Sequence, residues 1–166
     1  MRERSHKKGW DYQRATKKWL LERPFLGLDT AGFGDAYDAS SKATQLGTIS
    51  FDFSLQLRQE NEVKRILYAE CKYRTEKGGN VNDEFHEFLK RVHAAYLNCS
   101  ADEIDAAELC FISNVPPDDW RAFLRNKQQY CVKHLGGLSA KSLNRIIEEM
   151  VHHIHILVLS RQIIGR

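Results

Sequence analysis

Long apolar runs are absent from this chain of 166 residues. Its most apolar stretch, Ile154 to Leu159, is far shorter than the roughly 20 residues that a helix needs to cross a bilayer. Residues 1–18 are basic and polar, without the apolar segment of a secretory signal. We therefore expect a cytoplasmic protein with no membrane partner.

Cysteine is scarce, and several familiar motifs are missing. The four cysteines form no pair at the C-x2-C spacing of a zinc ribbon, and a reducing compartment is the simplest setting for them. No G-x-x-x-x-G-K loop and no G-x-S-x-G turn occur, which argues against an ATPase site and a serine hydrolase.

The net charge is small, because 25 basic residues face 22 acidic ones and leave a formal charge of +3. Basic residues nevertheless cluster near the start of the chain, at Arg2, Arg4, Lys7, Lys8, Arg14, Lys17 and Lys18. Such a cluster either neutralises phosphates or forms a solvated basic face. The length and the 42% hydrophobic content predict one domain over residues 1–166, which would bury roughly two thirds of its unfolded surface.

Hydrophobic periodicity predicts an alternation of helices and strands. In chain order we expect a helix over 10–21, a loop over 27–47 with a short strand at 33–37, a strand over 49–57, a turn over 58–65, a strand over 66–74, a helix over 82–97, a strand over 108–115, a helix over 118–135, and a helix from 139 or 140 to about 151. Residues 154–164 fit a continued helix or a strand. The order predicts an α/β (α+β) fold with a mixed central sheet flanked by helices.

The strands over 49–57 and 66–74 form a predicted hairpin whose turn is centred on Asn61. Asp52 and Glu70 are equally far from that centre, so they should oppose each other with Cβ atoms about 4.5–5.5 Å apart. Lys72 follows on the same face of the strand. The other face carries apolar residues that suit the core: Phe51, Phe53, Leu55, Ala69 and Cys71.

Two carboxylates this close repel each other unless a cation or a proton lies between them. A hard divalent ion, Mg²⁺ or Mn²⁺, suits such a pair and would also bind phosphate oxygens. The alternative to a metal site is that Asp52, Glu70 and Lys72 form a ladder of ion pairs on the surface, since E-x-K triplets are common by chance. A second copy, Glu62-Val63-Lys64, lies in the charged turn without an opposed carboxylate, and we interpret it as a decoy.

Two segments, Phe51-Asp52-Phe53 and Tyr68-Ala69-Glu70-Cys71-Lys72, together resemble the D…(E/D)xK signature of the restriction-endonuclease-like, or PD-(D/E)xK, nuclease superfamily. The order of elements fits that fold over about residues 9–135. The resemblance implies Mg²⁺-dependent cleavage of DNA to leave a 5′-phosphate, with duplex DNA as the expected substrate. It also implies that Asp52 and Glu70 bind metal, that the Cys71 carbonyl is a third ligand, and that Lys72 assists the nucleophile.

The start of the first helix, Gly9-Trp10-Asp11-Tyr12-Gln13, also resembles the family, in which a glutamate often joins the metal site. Gln13 occupies the matching position as an auxiliary residue, which leaves the number of metals open. A similar start occurs in nuclease domains of bacterial antiphage effectors and points to defence. The proline that usually precedes the aspartate is replaced by Phe51.

Further residues are assigned to DNA binding, to a helix face and to turns. Lys17, Lys18 and Arg74 are predicted to bind DNA. His152, His153 and His155 are expected on a helix face without an acidic partner, and Asp29, Asp35 and Asp38 are expected to form turns. Residues 139–166 form either the last core element or an interface. Cutting both strands requires two active sites, so a homodimer or larger assembly is expected. A partner protein that activates the nuclease is a further expectation.

Three alternatives stay open. The chain could be an inactive DNA-binding or scaffolding module on a nuclease fold, an RNA-directed nuclease, or a structural protein.

Overall fold

The computed structural model describes residues 2–23, 38–42, 44–74, 81–135, 139–145, 148 and 150–160. The strand predicted at 33–37, together with Asp29 and Asp35, lies outside these residues. Asp38 begins a strand and is not part of a turn.

The described chain forms a mixed sheet of five strands and a separate pair of short strands. The strands are β1 (Asp38–Lys42), β2 (Gln45–Leu46), β3 (Ile49–Ser50), β4 (Phe53–Gln59), β5 (Glu62–Lys72), β6 (Ala107–Ser113) and β7 (Ile154–Val158). The sheet order is β1-β4-β5-β6-β7, and β2 pairs with β3. The first three strands of the sheet run antiparallel, whereas β5, β6 and β7 are parallel. The predicted mixed sheet is confirmed.

Helices connect and flank these strands. They are α1 (Arg2–Leu21), α2 (Asn82–Leu97), α3 (Ala101–Ala106), α4 (Trp120–Arg125), α5 (Lys127–His134) and α6 (Ala140–Arg145). The helix predicted over 118–135 is divided at Asn126, whose side chain accepts the Gln129 N–H and begins α5. The unpredicted α3 begins with a capping box in which Ser100 and Glu103 bind each other's backbone N–H groups. None of the described helices has the length and apolar character needed to cross a bilayer.

Two apolar cores lie on opposite faces of the sheet. One contains Tyr12 and Leu20 of α1 with Leu55, Leu67 and their neighbours. The other is rich in aromatic residues and joins α2, α4 and α5 to the sheet, through Phe85, Phe88, Phe111, Phe123 and Tyr130. Every residue of β6 is buried, as expected for a central strand covered on both sides.

The hairpin has the predicted register from Phe53 to Leu57. The pairing then shifts by one residue between Leu57 and Arg58, and the turn is tighter than predicted. Phe53 lies opposite Ala69, and β5 begins at Glu62, so only Glu60 and Asn61 form the turn. Both have positive φ angles of 55° and 66°, which a two-residue turn matching the strand twist requires. The prediction of a turn over 58–65 was therefore wrong.

The predicted strand over 49–57 is interrupted at Asp52, where the chain bends between β3 and β4. The N–H of Phe51 bonds to Thr44, whereas that of Asp52 bonds to Ala69 on β5. Phe51 consequently packs in the core beside α2, and Phe53 packs in the core beside α1. The prediction that Phe51 and Phe53 share a face was wrong, because the bend reverses the alternation.

The C-terminal segment that fitted either a helix or a strand contains β7. Ile154, Ile156 and Leu157 are buried, and the strand pairs in parallel with β6. These residues therefore belong to the core of this chain, and their apolar character does not indicate an interface.

Candidate active site

The three residues of the predicted catalytic triad meet at one end of the hairpin. Asp52 immediately precedes β4, while Glu70 and Lys72 are at the end of β5. Because Phe53 opposes Ala69, Asp52 and Glu70 are the next residues along the paired strands. The parallel strand β6 ends beside them, with Ser113 at the level of Lys72.

Asp52 is fixed by hydrogen bonds from three directions. Its carboxylate Oδ2 accepts the backbone N–H of Cys71 at 2.7 Å, and its own N–H donates to the Ala69 carbonyl at 3.0 Å. The side-chain amide of Gln13, on α1, donates to the Asp52 carbonyl at 3.0 Å. Helix α1 and strand β5 together hold the aspartate at the bend, so its carboxylate has little freedom to move away.

Glu70 is buried, with 7% of its surface exposed. Burial raises the pKa of its carboxyl to about 7, and the charge of Asp52 and a hydrogen bond with that residue act in the same direction. The nearby cations of Arg91 and Lys72 lower the pKa and offset part of this effect. Glu70 therefore titrates near neutral pH, as functional carboxyl groups often do.

Two clefts, one beside α1 and one beside α2, each reach one member of this pair: Asp52 lines the first and Glu70 lines the second. The helix-1 cleft, of about 300 Å³, is lined by Gly9, Trp10, Gln13, Asp52, Cys71, Lys72 and Tyr73. The helix-2 cleft, of about 250 Å³, is lined by Glu70, Lys72, Asp83, Glu84, Glu87, Phe88 and Arg91. Lys72 lines both clefts, so it is the residue that the cleft of Asp52 and the cleft of Glu70 share.

The donor set fits a hard divalent ion. The side chains of Asp52 and Glu70 interact directly. The buried Oε2 of Glu70 lies 3.5 Å from the Arg91 guanidinium and accepts no hydrogen bond from the described residues. An oxygen of this kind is expected where a cation binds, because burying an unsatisfied carboxylate is costly. In the described part of the chain no three His, Cys, Asp or Glu side chains form a metal-holding group. The carboxylates of Asp52 and Glu70 are the two that interact directly, so they are the candidate ligands of this site.

Arg91 of α2 belongs to the site and was not predicted. Its Nε lies 3.5 Å from Glu70 Oε2, and its guanidinium also donates to the Ser50 carbonyl and lies over the Phe51 ring. It thus joins the bend before β4 to the buried carboxyl group. Arg91 follows Phe88 by one helical turn at the edge of the apolar stripe, the only signal in the sequence that could have indicated its position.

The predicted DNA-binding residues differ in their surroundings. Arg74 forms an ion pair with Glu84, and its backbone exchanges hydrogen bonds with Asn114, so its charge is already engaged. Lys18 is exposed, 4.0 Å from Glu22, and Lys17 is half-buried on α1. Of the three, Lys17 and Lys18 are placed most openly for contact with a phosphate.

The second E-x-K copy is an exposed ion pair beside the hairpin turn. Lys64 Nζ lies 2.8 Å from Glu62 Oε2, and both side chains are largely exposed to solvent. This placement, at the opposite end of β5 from Lys72, agrees with the interpretation of the copy as a decoy.

The histidine cluster has an acidic partner, contrary to the prediction. His155 lies in β7 and binds the buried Glu108 through Nε2, while Arg65 Nε is 2.6 Å and His153 Nδ1 3.6 Å from Glu108. Burial alone would raise the pKa of Glu108, but hydrogen bonds from the two histidines and the charges of His155 and Arg65 hold it at about 2. The expected helix face was wrong, because the chain there is a 3-10 turn followed by a strand. His152 is exposed.

Comparison of the chain with known protein families, with curated proteins and with solved structures gave no match.

Proposed function

We propose that this protein is a metal-dependent phosphodiesterase of the PD-(D/E)xK type that acts on DNA. The observation that carries the proposal is the contact between Asp52 and Glu70, with the pKa of Glu70 raised to about 7 and Lys72 two residues further along the strand. A surface ladder of ion pairs would leave both carboxylates solvated and would not bury one of them.

Each residue has a role that its surroundings support. Asp52 and Glu70 would hold Mg²⁺ or Mn²⁺, with the Cys71 carbonyl as an expected third ligand. Bound there, such an ion polarises a phosphate and stabilises the charge that develops on it. Lys72 lines both clefts beside the pair, where its ammonium group can orient the attacking water or neutralise a phosphate oxygen.

The choice of DNA rests on the family resemblance and on the basic residues of α1. Duplex DNA is the substrate that the resemblance implies, and cutting both strands would require a homodimer or larger assembly. A cytoplasmic location, an activating partner protein and a role in antiphage defence are parts of the same proposal and are argued from the sequence.

A panel of substrates tests the proposal. Purified protein is incubated with supercoiled plasmid, linear duplex, single-stranded DNA and RNA, each with Mg²⁺, Mn²⁺ or EDTA. We expect DNA cleavage that needs the divalent ion and falls roughly 100-fold or more in Asp52→Asn. Asp102→Asn, an exposed aspartate on α3, serves as the matched control and should cleave as the wild type does.

The other outcomes identify the alternatives. Cleavage of RNA alone would assign the site to an RNA-directed nuclease. DNA binding without cleavage under any condition would identify an inactive binding module and would overturn the proposed activity.

A further inference from the structure

The indole of Trp10 is exposed in the helix-1 cleft, the cleft that Asp52 lines. With 61% of its surface exposed, it is the most exposed large apolar residue of the described chain. It lines the helix-1 cleft together with Asp52 and Lys72. A single exposed apolar side chain is ordinary by itself. The informative feature is the place of this indole in a polar cleft, and the reason for that place lies either in packing or in a ligand.

Packing does not supply that reason. Trp19, further along the same helix, packs against the core beside α1, and Arg23 lies 4.4 Å from the centre of its ring. Tyr12 is buried in that core and donates its hydroxyl to the Leu159 carbonyl. Helix α1 is thus anchored by other aromatic residues, and Trp10 is turned toward the cleft.

Gln13, three residues after Trp10, attaches this side of α1 to the Asp52 segment. Residues three apart lie on the same side of a helix, and the Gln13 amide donates to the Asp52 carbonyl at 3.0 Å. That bond holds the Trp10 side of α1 against the carboxylate pair. Lys17 lies one turn beyond Gln13, so Trp10, Gln13 and Lys17 share one face of α1.

An aromatic ring and a cation beside a phosphate-binding centre match a nucleotide whose base is unpaired. In an intact duplex both faces of each base are covered by the neighbouring base pairs, so an indole cannot lie flat on one without opening the stack. Single-stranded nucleic acid offers free base faces, and aromatic side chains bind them with little dependence on sequence.

We propose that Trp10 stacks on an unpaired base next to the phosphate that is cut. The substrate is then DNA with a single-stranded segment, such as a flap, a gap or a frayed end, in place of an uninterrupted duplex. This inference rests on the proposed function for the phosphate's position, but the stacking itself needs neither metal nor catalysis.

The test measures binding in EDTA, so that no cleavage occurs. Fluorescein-labelled oligonucleotides of one sequence, single-stranded and duplex, are titrated with wild type, Trp10→Ala and Trp10→Phe, and anisotropy is recorded. We expect Trp10→Ala to weaken single-strand binding about tenfold or more, Trp10→Phe to restore part of it, and duplex binding to change little. Leu97→Ala, an exposed apolar residue on α2, is the control and should bind as wild type does.

Intrinsic fluorescence gives a second readout with unlabelled single-stranded oligonucleotide. The chain has three tryptophans, and quenching on binding should disappear in Trp10→Phe, in which Trp19 and Trp120 remain. Unchanged single-strand affinity in Trp10→Ala, or an equal loss for single strand and duplex, would overturn the proposal. A wild type that dimerises through Trp10 in sedimentation, without quenching by DNA, would assign the residue to a protein contact and would also overturn it.

The two proposals fail in different ways. Divalent-dependent DNA cleavage together with unaltered binding by Trp10→Ala would leave the nuclease proposal standing and remove the stacking proposal. Selective loss of single-strand binding in Trp10→Ala, without cleavage of any substrate by the wild type, would do the reverse.

Discussion

The carboxylate of Asp52 accepts the backbone N–H of Cys71 at 2.7 Å, across the open end of the hairpin. The side chain thereby takes the place of a backbone acceptor at the bend before β4. This bond draws the aspartate toward β5 and beside Glu70, so the interruption of the strand and the pairing of the two carboxyl groups have one structural cause.

Because the pKa of Glu70 is raised, we expect the folded protein to lose stability between pH 4.5 and about 7. The pKa lies at about 7 in the folded protein, against an ordinary value of 4.5. Between these values only the unfolded chain loses the proton, so stability falls as pH rises through this window and the loss is complete above about 7. We expect Glu70→Gln to raise the free energy of unfolding in urea by about 1–3 kcal/mol at pH 8 and to change it little at pH 4.5.

Glu62→Gln provides the control for this measurement, because Glu62 is exposed beside the turn. It should alter stability little at either pH. An effect of Glu70→Gln that is the same at pH 4.5 and pH 8 would contradict the assigned titration.

The ion pair between Arg91 and Glu70 predicts that removing the arginine will shift the pH profile of cleavage. Its positive charge, 3.5 Å from Glu70 Oε2, lowers the pKa of that carboxyl group. Removing it in Arg91→Ala should raise the pKa further, so that the pH at which cleavage reaches half its maximum moves upward. Lys90→Ala, which removes an exposed neighbour paired with Glu87, should leave the midpoint in place. A midpoint unmoved by Arg91→Ala would show that this arginine does not act on Glu70.

The hydrogen bond from Gln13 to Asp52 predicts that replacing this glutamine by glutamate will destabilise the protein. Its amide donates to the Asp52 carbonyl, and an ionised glutamate cannot donate. We expect Gln13→Glu to lower the free energy of unfolding by about 1–3 kcal/mol and to slow cleavage, as measured by urea denaturation and initial rates. Gln45→Glu, at an exposed position of β2, is the control. Faster cleavage or tighter Mn²⁺ binding in Gln13→Glu would instead assign position 13 to the metal site.

The lowered pKa of Glu108 should make the free energy of unfolding rise with pH, whereas the raised pKa of Glu70 makes it fall. Its pKa is held at about 2, so its contribution is present above about 4.5 and is lost as pH falls through about 2. We expect Glu108→Gln to lower the free energy of unfolding at pH 7 by about 3 kcal/mol, because Arg65 and His155 lose a buried partner. The difference from wild type, followed by urea denaturation, should narrow below pH 4. Asp105→Asn, exposed on α3, should change stability little, and an equally small effect of Glu108→Gln would contradict the account.

The hairpin could be predicted because its information is local. Alternation along the strands indicates which residues share a face, and the pairing from Phe53 to Leu57 places Asp52 next to Glu70. The bulge between Leu57 and Arg58, which joins that pairing to the two-residue turn, has no signal in the periodicity. The bend at Asp52 could not be predicted, because it depends on hydrogen bonds to Thr44 and Ala69 that periodicity does not encode. Phe51 therefore looks like one more residue of a continuous strand, although it packs in the other core.

Residues brought in from distant elements were also missed. Arg91 reaches Glu70 only because α2 crosses the sheet beside β3, and Glu108 meets His155 only because β6 and β7 pair in parallel. A lone arginine on a helix and a glutamate at the start of a strand carry no sequence pattern that identifies such partners. The final strand was undecided for the same reason, since short apolar runs fit a helix or a strand until their pairing is known.

The chain contains its own control for the central claim, because Lys72 and Lys64 are on the same strand and each follows a glutamate at the same spacing. The decisive measurement is single-turnover cleavage of a labelled DNA oligonucleotide in Mg²⁺ by wild type, Lys72→Ala and Lys64→Ala. We expect Lys64→Ala to cleave at the wild-type rate and Lys72→Ala to be slower by roughly 100-fold or more. Equal rates in the two variants, whether both are fast or both are lost, would contradict the assignment of Asp52, Glu70 and Lys72 as the catalytic centre.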